Sequence, residues 1–170
     1  MGSGKSTLGP ILANTLGYGF VDVDRMIEER VGKSIGEVFQ ELGEKEFRQM
    51  ERDALLKVIG MEEMVVSLGG GAITNEENFQ LLHARGIIVY LRVSPEEATR
   101  RMRHKANRPL LKGADGEILD ENALREKITD LMRRREEFYA RADVIIQTEH
   151  QRIGSTVDDL VRRLRAQGFS

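Results

Sequence analysis

Short apolar runs recur along the chain, and the C-terminal end of each run is followed by a helix-start signal. Apolar runs of this length that are followed by helix-start signals are typical of buried β-strands that lead into helices. Repeated β/α units place their strands parallel to one another, so the pattern predicts the α/β class with a mainly parallel sheet. The four predicted strands are Phe20–Asp22, Met64–Leu68, Ile87–Arg92 and Val144–Gln147.

Capping residues mark the helix boundaries. Apolar residues at helical spacing predict a first helix over Lys5–Leu16, although Pro10 within it forfeits one backbone hydrogen bond. The segments Ser34–Glu37 and Thr74–Glu77 both fit the capping-box pattern, in which a hydroxyl and a carboxylate satisfy each other's backbone N–H groups. Pro95 suits the first position of a further helix, because its fixed φ is already helical.

Two stretches interrupt the alternation of strands and helices. Residues 24–60 show helical periodicity throughout and are too long for a minimal crossover, so we predict a flap that binds substrate. The longest flap helix carries an apolar stripe formed by Phe47, Met50, Ala54 and Val58. Residues 104–120 show little periodicity, and their composition predicts a lid over phosphates. This second stretch contains the cations Lys105, Arg108 and Lys112 and the turn formers Pro109, Gly113 and Gly116.

Composition narrows the classes of function. The chain has 170 residues, 26 of them Lys or Arg and 28 Asp or Glu, and its net charge of −2 gives no general attraction to nucleic acid or membranes. It contains no Cys, which removes disulfides, thiolate metal sites and cysteine catalysis. No apolar run approaches the ~20 residues of a membrane span, so we expect a cytoplasmic protein.

The N-terminal residues Met1–Thr7 match the back half of the phosphate-binding motif G-x-x-x-x-G-K-[ST]. In this motif backbone N–H groups cradle phosphate, the Lys reaches the β- and γ-phosphates, and the Ser hydroxyl ligates Mg²⁺. Lys5 and Ser6 take these roles. A flexible Gly/Ser linker is the alternative, but the run leads directly into the first helix, which favours phosphate binding.

The motif also requires a first Gly and a preceding strand, and neither stands before Met1. We therefore expect Met1 to be an internal methionine and the natural protein to begin roughly ten residues upstream, about one strand plus the start of the loop. Without that strand the middle of the sheet would be unpaired.

Acidic and glycine-rich segments follow two of the strands. Asp22 and Asp24 close one strand, so their carboxylates should point the same way, where parallel sheets place their ligands. We expect one to help hold Mg²⁺ and the other to contact a hydroxyl. Asp24 could instead cap the next helix. Gly69, Gly70 and Gly71 follow another strand, and they would either bring bare backbone N–H groups to a ligand or form a plain tight turn.

Arg135 lies at the centre of an apolar stripe on a helix predicted over about 121–142. The stripe is formed by Leu124, Ile128, Leu131 and Phe138. An Arg in such a position must meet an anion, which is either a structural carboxylate or a substrate group held in bidentate fashion. Arg48, Arg101 and Arg108 would be solvated surface charges if taken singly, but together they supply the cations that phosphoryl transfer requires. His83, His104 and His150 show no metal-ligand spacing, and we expect none of them to be catalytic.

Seven segments in this order resemble the shikimate kinase family, a group of P-loop enzymes of the nucleoside-monophosphate-kinase type. They are M-G-S-G-K-S-T, F-V-D-V-D, G-K-S-I-G-E-V-F, E-K-E-F-R, S-L-G-G-G-A-I-T, N-R-P-L-L and R-R-E-E-F-Y, and the match runs from Met1 to about Arg165. The resemblance implies a three-layer α/β/α fold around a parallel sheet of five strands, of which four are visible here. It also implies transfer of the ATP γ-phosphoryl group to the 3-hydroxyl of shikimate, on the way to chorismate and the aromatic amino acids.

The resemblance assigns roles residue by residue. Asp24 would orient and deprotonate the attacking hydroxyl, with Lys5 and Arg108 as the other catalytic groups. Shikimate would be bound by Asp24, Arg48, Gly69, Gly70, Gly71 and Arg135. ATP would be bound by Gly2, Ser3, Gly4, Lys5, Ser6, Thr7, Arg101, Arg108 and Arg152. Mg²⁺ would be held by Ser6 and, through water, by Asp22.

One kinase domain over 1–170 is the organisation that this resemblance implies. Its core would comprise 1–23, 61–103 and 121–170, with the shikimate-binding flap at 24–60 and the lid at 104–120. We expect a monomer whose ligands are ATP, Mg²⁺ and shikimate. Two alternatives stay open, namely another small-molecule P-loop kinase acting on gluconate or a nucleotide, and a nucleotide-binding domain that does not catalyse.

Overall fold

A computed structural model describes residues 2–103, 119–149 and 151–168. Helices and short strands alternate along the chain, and a 3₁₀ turn at Ala72–Thr74 follows the second strand. The helices are α1 (Lys5–Leu16), α2 (Val23–Val31), α3 (Ile35–Val58), α4 (Glu76–His83), α5 (Pro95–Arg103), α6 (Glu121–Tyr139) and α7 (Ile153–Ala166). The strands are β1 (Gly19–Asp22), β2 (Met64–Ser67), β3 (Val89–Arg92) and β4 (Val144–Gln147).

Local capping chemistry sets most of the helix starts. The Ser34 side chain accepts a hydrogen bond from the Glu37 N–H while the Glu37 carboxylate accepts from the Ser34 N–H, which confirms the predicted capping box. Pro95 begins α5 as predicted. The second predicted box is wrong by one residue, because Asn75 caps α4 and the Thr74 hydroxyl donates to the Gly71 carbonyl at 2.8 Å.

The strands form two parallel pairs. Within the described residues, β1 pairs with β2 and β3 pairs with β4, with Gly19 opposite Met64 and Val89 opposite Val144. The α/β class, the parallel sense and the four predicted strands are therefore confirmed. The two pairs are separate sheets, so the middle of the predicted sheet carries no ladder between β2 and β3.

Helices cover both faces of the strands, which gives three layers. On one face, α1 and α7 pack against β3 and β4 through a cluster that includes Leu8, Leu12, Leu91 and Leu160. On the other face, α2 and α3 pack against β1 and β2. Val65 and Val66 are neighbours on β2 and join opposite clusters, as expected from the alternation of side chains along a strand.

A cavity of about 670 Å³ lies between β2 and β3. Both strands line it along their length, together with apolar side chains of α1 and α7. It extends to Gly69, Gly70 and Arg135 beyond the carboxyl end of β2. The space between the two sheets is therefore continuous with the part of the predicted substrate site that Gly69, Gly70 and Arg135 form.

Residues 24–58 fold into two helices that pack on each other. Helix α3 contains a break at Gly43, whose φ of 79° lies in the left-handed region that glycine tolerates. The predicted stripe on its second half is confirmed, since Phe47, Ala54 and Val58 are buried and Met50 packs against them. No helix in the described part of the chain combines the length and apolarity that crossing a membrane would require.

Candidate functional site

The loop before α1 presents a helix N-terminus. Gly4 caps the helix in a left-handed conformation with φ of 94°, and its carbonyl accepts from the N–H groups of Thr7 at 3.0 Å and Leu8 at 2.9 Å. No acidic side chain stands in the first turn. The positive end of the helix dipole is thus combined with Lys5 and Ser6, which is a suitable arrangement for a phosphate group.

Asp22 and Asp24 occupy different structural positions. Strand β1 ends at Asp22, whose Oδ1 accepts from the N–H groups of Asp24 at 3.1 Å and Arg25 at 3.4 Å. The helix cap is therefore Asp22, and the alternative that Asp24 caps α2 is wrong. Because α2 begins at Val23, the two carboxylates also do not share a strand face as the sequence suggested.

The turn at Gly69–Gly71 brings three parts of the chain together. A Cβ on Gly69 would lie 2.7 Å from Asp24 Oδ1, and one on Gly71 would lie 2.6 Å from Arg48 Nη1. A Cβ on Gly70 would lie 2.8 Å from the nearest guanidinium nitrogen of Arg135. A Cβ at any of the three positions would displace the end of the side chain that lies there, so glycine lets these side chains approach the backbone of the turn.

The three side chains and the glycine turn that were predicted to contact shikimate are therefore neighbours. Asp24, Arg48 and Arg135 come from α2, α3 and α6, and each lies against a different residue of the glycine turn. The turn follows β2, so the cluster lies beyond the carboxyl end of a parallel strand, where α/β sheets bind ligands. The structure thus brings together the residues that the sequence analysis assigned to shikimate, and their role stays a prediction.

Arg48 is held by two carboxylates. Its Nη1 lies 2.8 Å from Glu51 Oε2 and its Nη2 lies 3.0 Å from Glu44 Oε1. The Glu51 side chain is only 1% exposed, whereas that of Arg48 is 38% exposed. Burial raises the pKa of Glu51, and the adjacent Arg48 opposes this by lowering it. The buried Glu51 carboxylate therefore holds the Arg48 guanidinium in place, while part of the Arg48 side chain still faces solvent.

Glu51 was not among the predicted site residues. Its Oε1 lies 3.2 Å from where a Cβ of Gly69 would be, and it also feels the charges of Asp24 and Arg135. A signal for it was present in the sequence, because Glu51 lies on the apolar stripe of α3, four residues after Phe47. A charged side chain on an apolar stripe needs a partner of opposite charge, and this holds for Glu51 on α3 as it does for Arg135 on α6.

Arg135 differs from Arg48 in its ion pairs. It is half-buried, and among the described residues it forms no ion pair, so the alternative of a structural salt bridge finds no support there. Its neighbours are the Gly70 backbone and the Tyr139 hydroxyl. A half-buried guanidinium beside bare backbone is a site for an anion from outside the protein.

Arg101 connects the N-terminal loop to the loop after β4. Its guanidinium donates to the carbonyl oxygens of Gly2 at 3.1 Å and Thr148 at 2.7 Å, and to Glu97 Oε1 at 2.6 Å. It thereby fixes the start of the phosphate loop against α5 and the loop after β4. These three contacts occupy donors that the sequence prediction assigned to nucleotide.

The remaining predicted residues are more dispersed. Arg152 is exposed at the start of α7. His83 pairs with Asp143 at 3.1 Å, away from the glycine turn in the fold. Arg108, His104, His150 and most of the predicted lid lie outside the described residues. No cluster of three or more His, Cys, Asp or Glu side chains suited to a metal occurs within residues 2–103, 119–149 and 151–168.

Comparison with known proteins gives a consistent result. The family model for shikimate kinase matches residues 1–165. The shikimate kinase of Chlorobium limicola is 48% identical over 163 residues, which cover 96% of this chain and 82% of that protein. That of Chlorobaculum tepidum is 47% identical over 163 residues, covering 96% of this chain and 85% of that protein.

Solved structures agree with the sequence comparison. A shikimate kinase from Bacteroides thetaiotaomicron superposes with a TM-score of 0.89 at 37% identity, covering 97% of this chain and 94% of that one. A shikimate kinase from Acinetobacter baumannii, solved in complex with shikimate, superposes with a TM-score of 0.88 at 32% identity, covering 100% of this chain and 91% of that one.

Proposed function

This chain belongs to the shikimate kinase family, and from that premise we propose that it transfers the γ-phosphoryl group of ATP to the 3-hydroxyl of shikimate. The reaction is a step toward chorismate and the aromatic amino acids. The observation that carries the proposal is the placement of Asp24, Arg48 and Arg135 around one glycine turn. Two guanidinium groups suit the carboxylate of shikimate, and a nearby carboxylate suits one of its hydroxyl groups.

The two arginines have complementary parts in binding shikimate. Arg48 is preorganised by Glu51, so little conformational entropy is lost when it meets the substrate carboxylate. Arg135 brings a cation without a described structural counter-ion, so the substrate carboxylate supplies its partner. Backbone groups of Gly69, Gly70 and Gly71 complete the pocket, because without side chains they can approach the ring hydroxyls directly.

Asp24 is the residue that acts on the attacking hydroxyl. Its carboxylate lies against Gly69, within the same cluster as the two arginines. We assign it the roles of orienting the 3-hydroxyl in line with the γ-phosphorus and of accepting its proton. Because phosphoryl transfer depends on positioning and charge stabilisation, no nucleophile from the enzyme is required.

ATP is assigned to the loop Gly2–Thr7 at the start of α1, where Lys5 faces the transferred phosphoryl group. Oxygen donors fit a divalent magnesium ion, and Ser6 at the helix start together with Asp22 at the end of β1 supplies a hydroxyl and a carboxylate. Asp22 Oδ1 already accepts two backbone N–H groups, which suits a contact to the metal through water. When bound, Mg²⁺ neutralises charge on the phosphates.

Other parts of the assignment rest on the family resemblance alone. We assign phosphate contact to Arg108 and nucleotide contact to Arg101 and Arg152. The flap at 24–60, the lid at 104–120 and a core formed by the rest remain the proposed division of a single kinase domain. We propose that the protein acts as a monomer.

A coupled ADP-release assay tests the proposal by comparing shikimate, gluconate and nucleoside monophosphates as acceptors. We expect turnover with shikimate and at most background rates with the others. Preferred turnover of gluconate or a nucleotide would indicate a different small-molecule kinase. ATP binding without turnover of any acceptor would indicate a nucleotide-binding domain that does not catalyse.

Substitution of Asp24 tests its assigned role. Asp24→Asn keeps the size and removes the base, so we expect phosphorylation of shikimate to be abolished while ATP still binds. Turnover and ATP affinity are measured on the same preparation, the latter by calorimetry. Near-normal turnover in this variant would eliminate the orienting and proton-accepting role.

A further inference from the structure

Tyr139 contacts the glycine turn from a different part of the chain. It lies at the end of α6, one turn after Arg135, and its hydroxyl donates to the Gly70 carbonyl at 2.6 Å. Its ring packs against that of Tyr90 with centroids 4.8 Å apart. Tyr139 is absent from the set of residues that the sequence prediction assigned to the site, although Arg135 on the same helix face is included.

The chemistry of the Tyr139 hydroxyl suits a bridging role. Burial raises the pKa of Tyr139, so the hydroxyl keeps its proton and can donate it to the carbonyl. The Arg135 guanidinium lies beside the same hydroxyl, since a Cβ on Gly70 would be 2.8 Å from Arg135 Nη1 and 3.2 Å from the Tyr139 oxygen. The hydroxyl is therefore bonded to the glycine turn next to the arginine that we assign to substrate binding.

The Gly70 carbonyl is held differently from its neighbours. The Gly69 carbonyl accepts from the Ala72 N–H at 3.1 Å, and the Gly71 carbonyl accepts from the Thr74 N–H at 3.1 Å. Both of those bonds are local, because each joins residues three positions apart in the chain. The Gly70 carbonyl instead receives its bond from α6, 69 residues further along the chain.

This bond sets the orientation of one peptide group. Glycine has wide backbone freedom, so a run of three does not fix its own peptide planes. No cis peptide occurs among the described residues, and in a trans peptide the N–H of the next residue points opposite to the carbonyl. With the Gly70 carbonyl directed at Tyr139, the Gly71 N–H is directed away from it and is held in that orientation.

We propose that Tyr139 is a positioning residue for the phosphoryl acceptor, which fixes the Gly70–Gly71 peptide and the Arg135 guanidinium in the geometry that binds shikimate. The inference rests on the proposed function, because it names a further residue for the same site. Tyr139 itself acts through Gly70 and Arg135. Its contribution is to shikimate binding and not to ATP binding, since its hydroxyl bonds to the glycine turn that we assign to shikimate.

The test is Tyr139→Phe, which removes one oxygen and keeps the ring. We expect the KM for shikimate to rise on the order of tenfold, because a part-buried carbonyl loses its donor and the turn loses its anchor. The KM for ATP should stay within about twofold. The matched control is Tyr90→Phe, which removes a hydroxyl from the ring that packs at a tilt against Tyr139 and should leave both constants within about twofold.

A purely structural role would give a different result. Tyr139→Phe would then lower the melting temperature and the amount of active protein but leave both KM values unchanged, and that outcome would overturn the inference. Calorimetric titration with shikimate gives a second measurement for a poorly folded variant, because inactive protein alters the stoichiometry and not the Kd. An unchanged Kd for shikimate would equally overturn it.

The wild-type protein separates this inference from the proposed function. Wild-type turnover of shikimate with an unaffected Tyr139→Phe variant refutes only the role of Tyr139. A wild-type protein that neither phosphorylates nor binds shikimate refutes the proposed function, and the inference fails with it.

Discussion

The ion pair between Arg48 and Glu51 predicts a marked asymmetry between its two partners. The Glu51 side chain is 1% exposed and that of Arg48 is 38% exposed. Removing Arg48 therefore leaves a buried charge, whereas removing Glu51 leaves a partly solvated one. Arg48→Met keeps most of the alkyl stem and leaves a buried carboxylate without its cation. Glu51→Gln keeps the size and leaves a half-exposed guanidinium that retains Glu44 and can be hydrated.

The magnitudes follow from this difference in burial. Breaking a fully buried pair costs about 3 to 5 kcal/mol, and because Arg48 is partly solvated we expect about 2 to 3 kcal/mol for Arg48→Met at neutral pH. For Glu51→Gln we expect about 1 kcal/mol or less, since the amide oxygen can still accept from Arg48. At ~2 to 4 °C per kcal/mol, the melting temperature falls by roughly 4 to 12 °C in the first variant and by less than about 4 °C in the second.

The pH dependence gives an independent check. Without Arg48, burial and the negative charge of Asp24 both raise the pKa of Glu51 above its ordinary value of 4.5, and the charge of Arg135 is the smaller influence that still lowers it. A carboxyl whose pKa is raised by folding stabilises the folded state fully below the unfolded pKa, and this stability is lost as the pH rises through the folded pKa. Arg48→Met should therefore be least destabilised near pH 4.5 and progressively more destabilised toward pH 8.

Urea unfolding followed by circular dichroism measures both effects on wild type, Arg48→Met and Glu51→Gln at several pH values. The reasoning is refuted by a loss of stability in Glu51→Gln that equals or exceeds that in Arg48→Met at neutral pH. It is also refuted by an Arg48→Met penalty that is independent of pH.

Two further substitutions test the glycine turn and the α5 ion pairs. Gly71→Ala should raise the KM for shikimate with little change in melting temperature, because φ at Gly71 is −98° and the added Cβ would displace only the flexible end of Arg48. Gly86→Ala, with no atom within 4 Å of the added Cβ, is the control, and equal KM values in the two variants would count against this. Glu97→Gln should lower the melting temperature at pH 7, because two arginines lower the pKa of Glu97 to about 2. The difference in melting temperature between wild type and Glu97→Gln should narrow as the pH falls from about 4.5 toward 2, because the ion pairs stabilise the fold only while Glu97 is ionised. A difference that stays constant over this range would contradict the role of these ion pairs.

Features that depend on a few neighbouring residues could be predicted from the sequence. The bounds of α1, the capping box at Ser34–Glu37 and the strand Val144–Gln147 agree with the structure, because caps and periodic apolar positions act over one or two turns of chain. The type of chemistry at the site was equally accessible, since phosphate loops, paired carboxylates and an Arg on an apolar stripe each have a local signature.

Features that depend on contacts between distant segments were decided by the tertiary structure. Whether Asp22 or Asp24 caps α2 depended on where β1 ends, which pairing with β2 determines. The burial of Glu51 and the bond from Tyr139 to Gly70 join residues whose proximity no local pattern encodes. The sequence by itself determined which groups are available for phosphoryl transfer. Only the packing of α2, α3 and α6 around the glycine turn decided which of them meet, because burial and hydrogen-bond partners are properties of the folded chain.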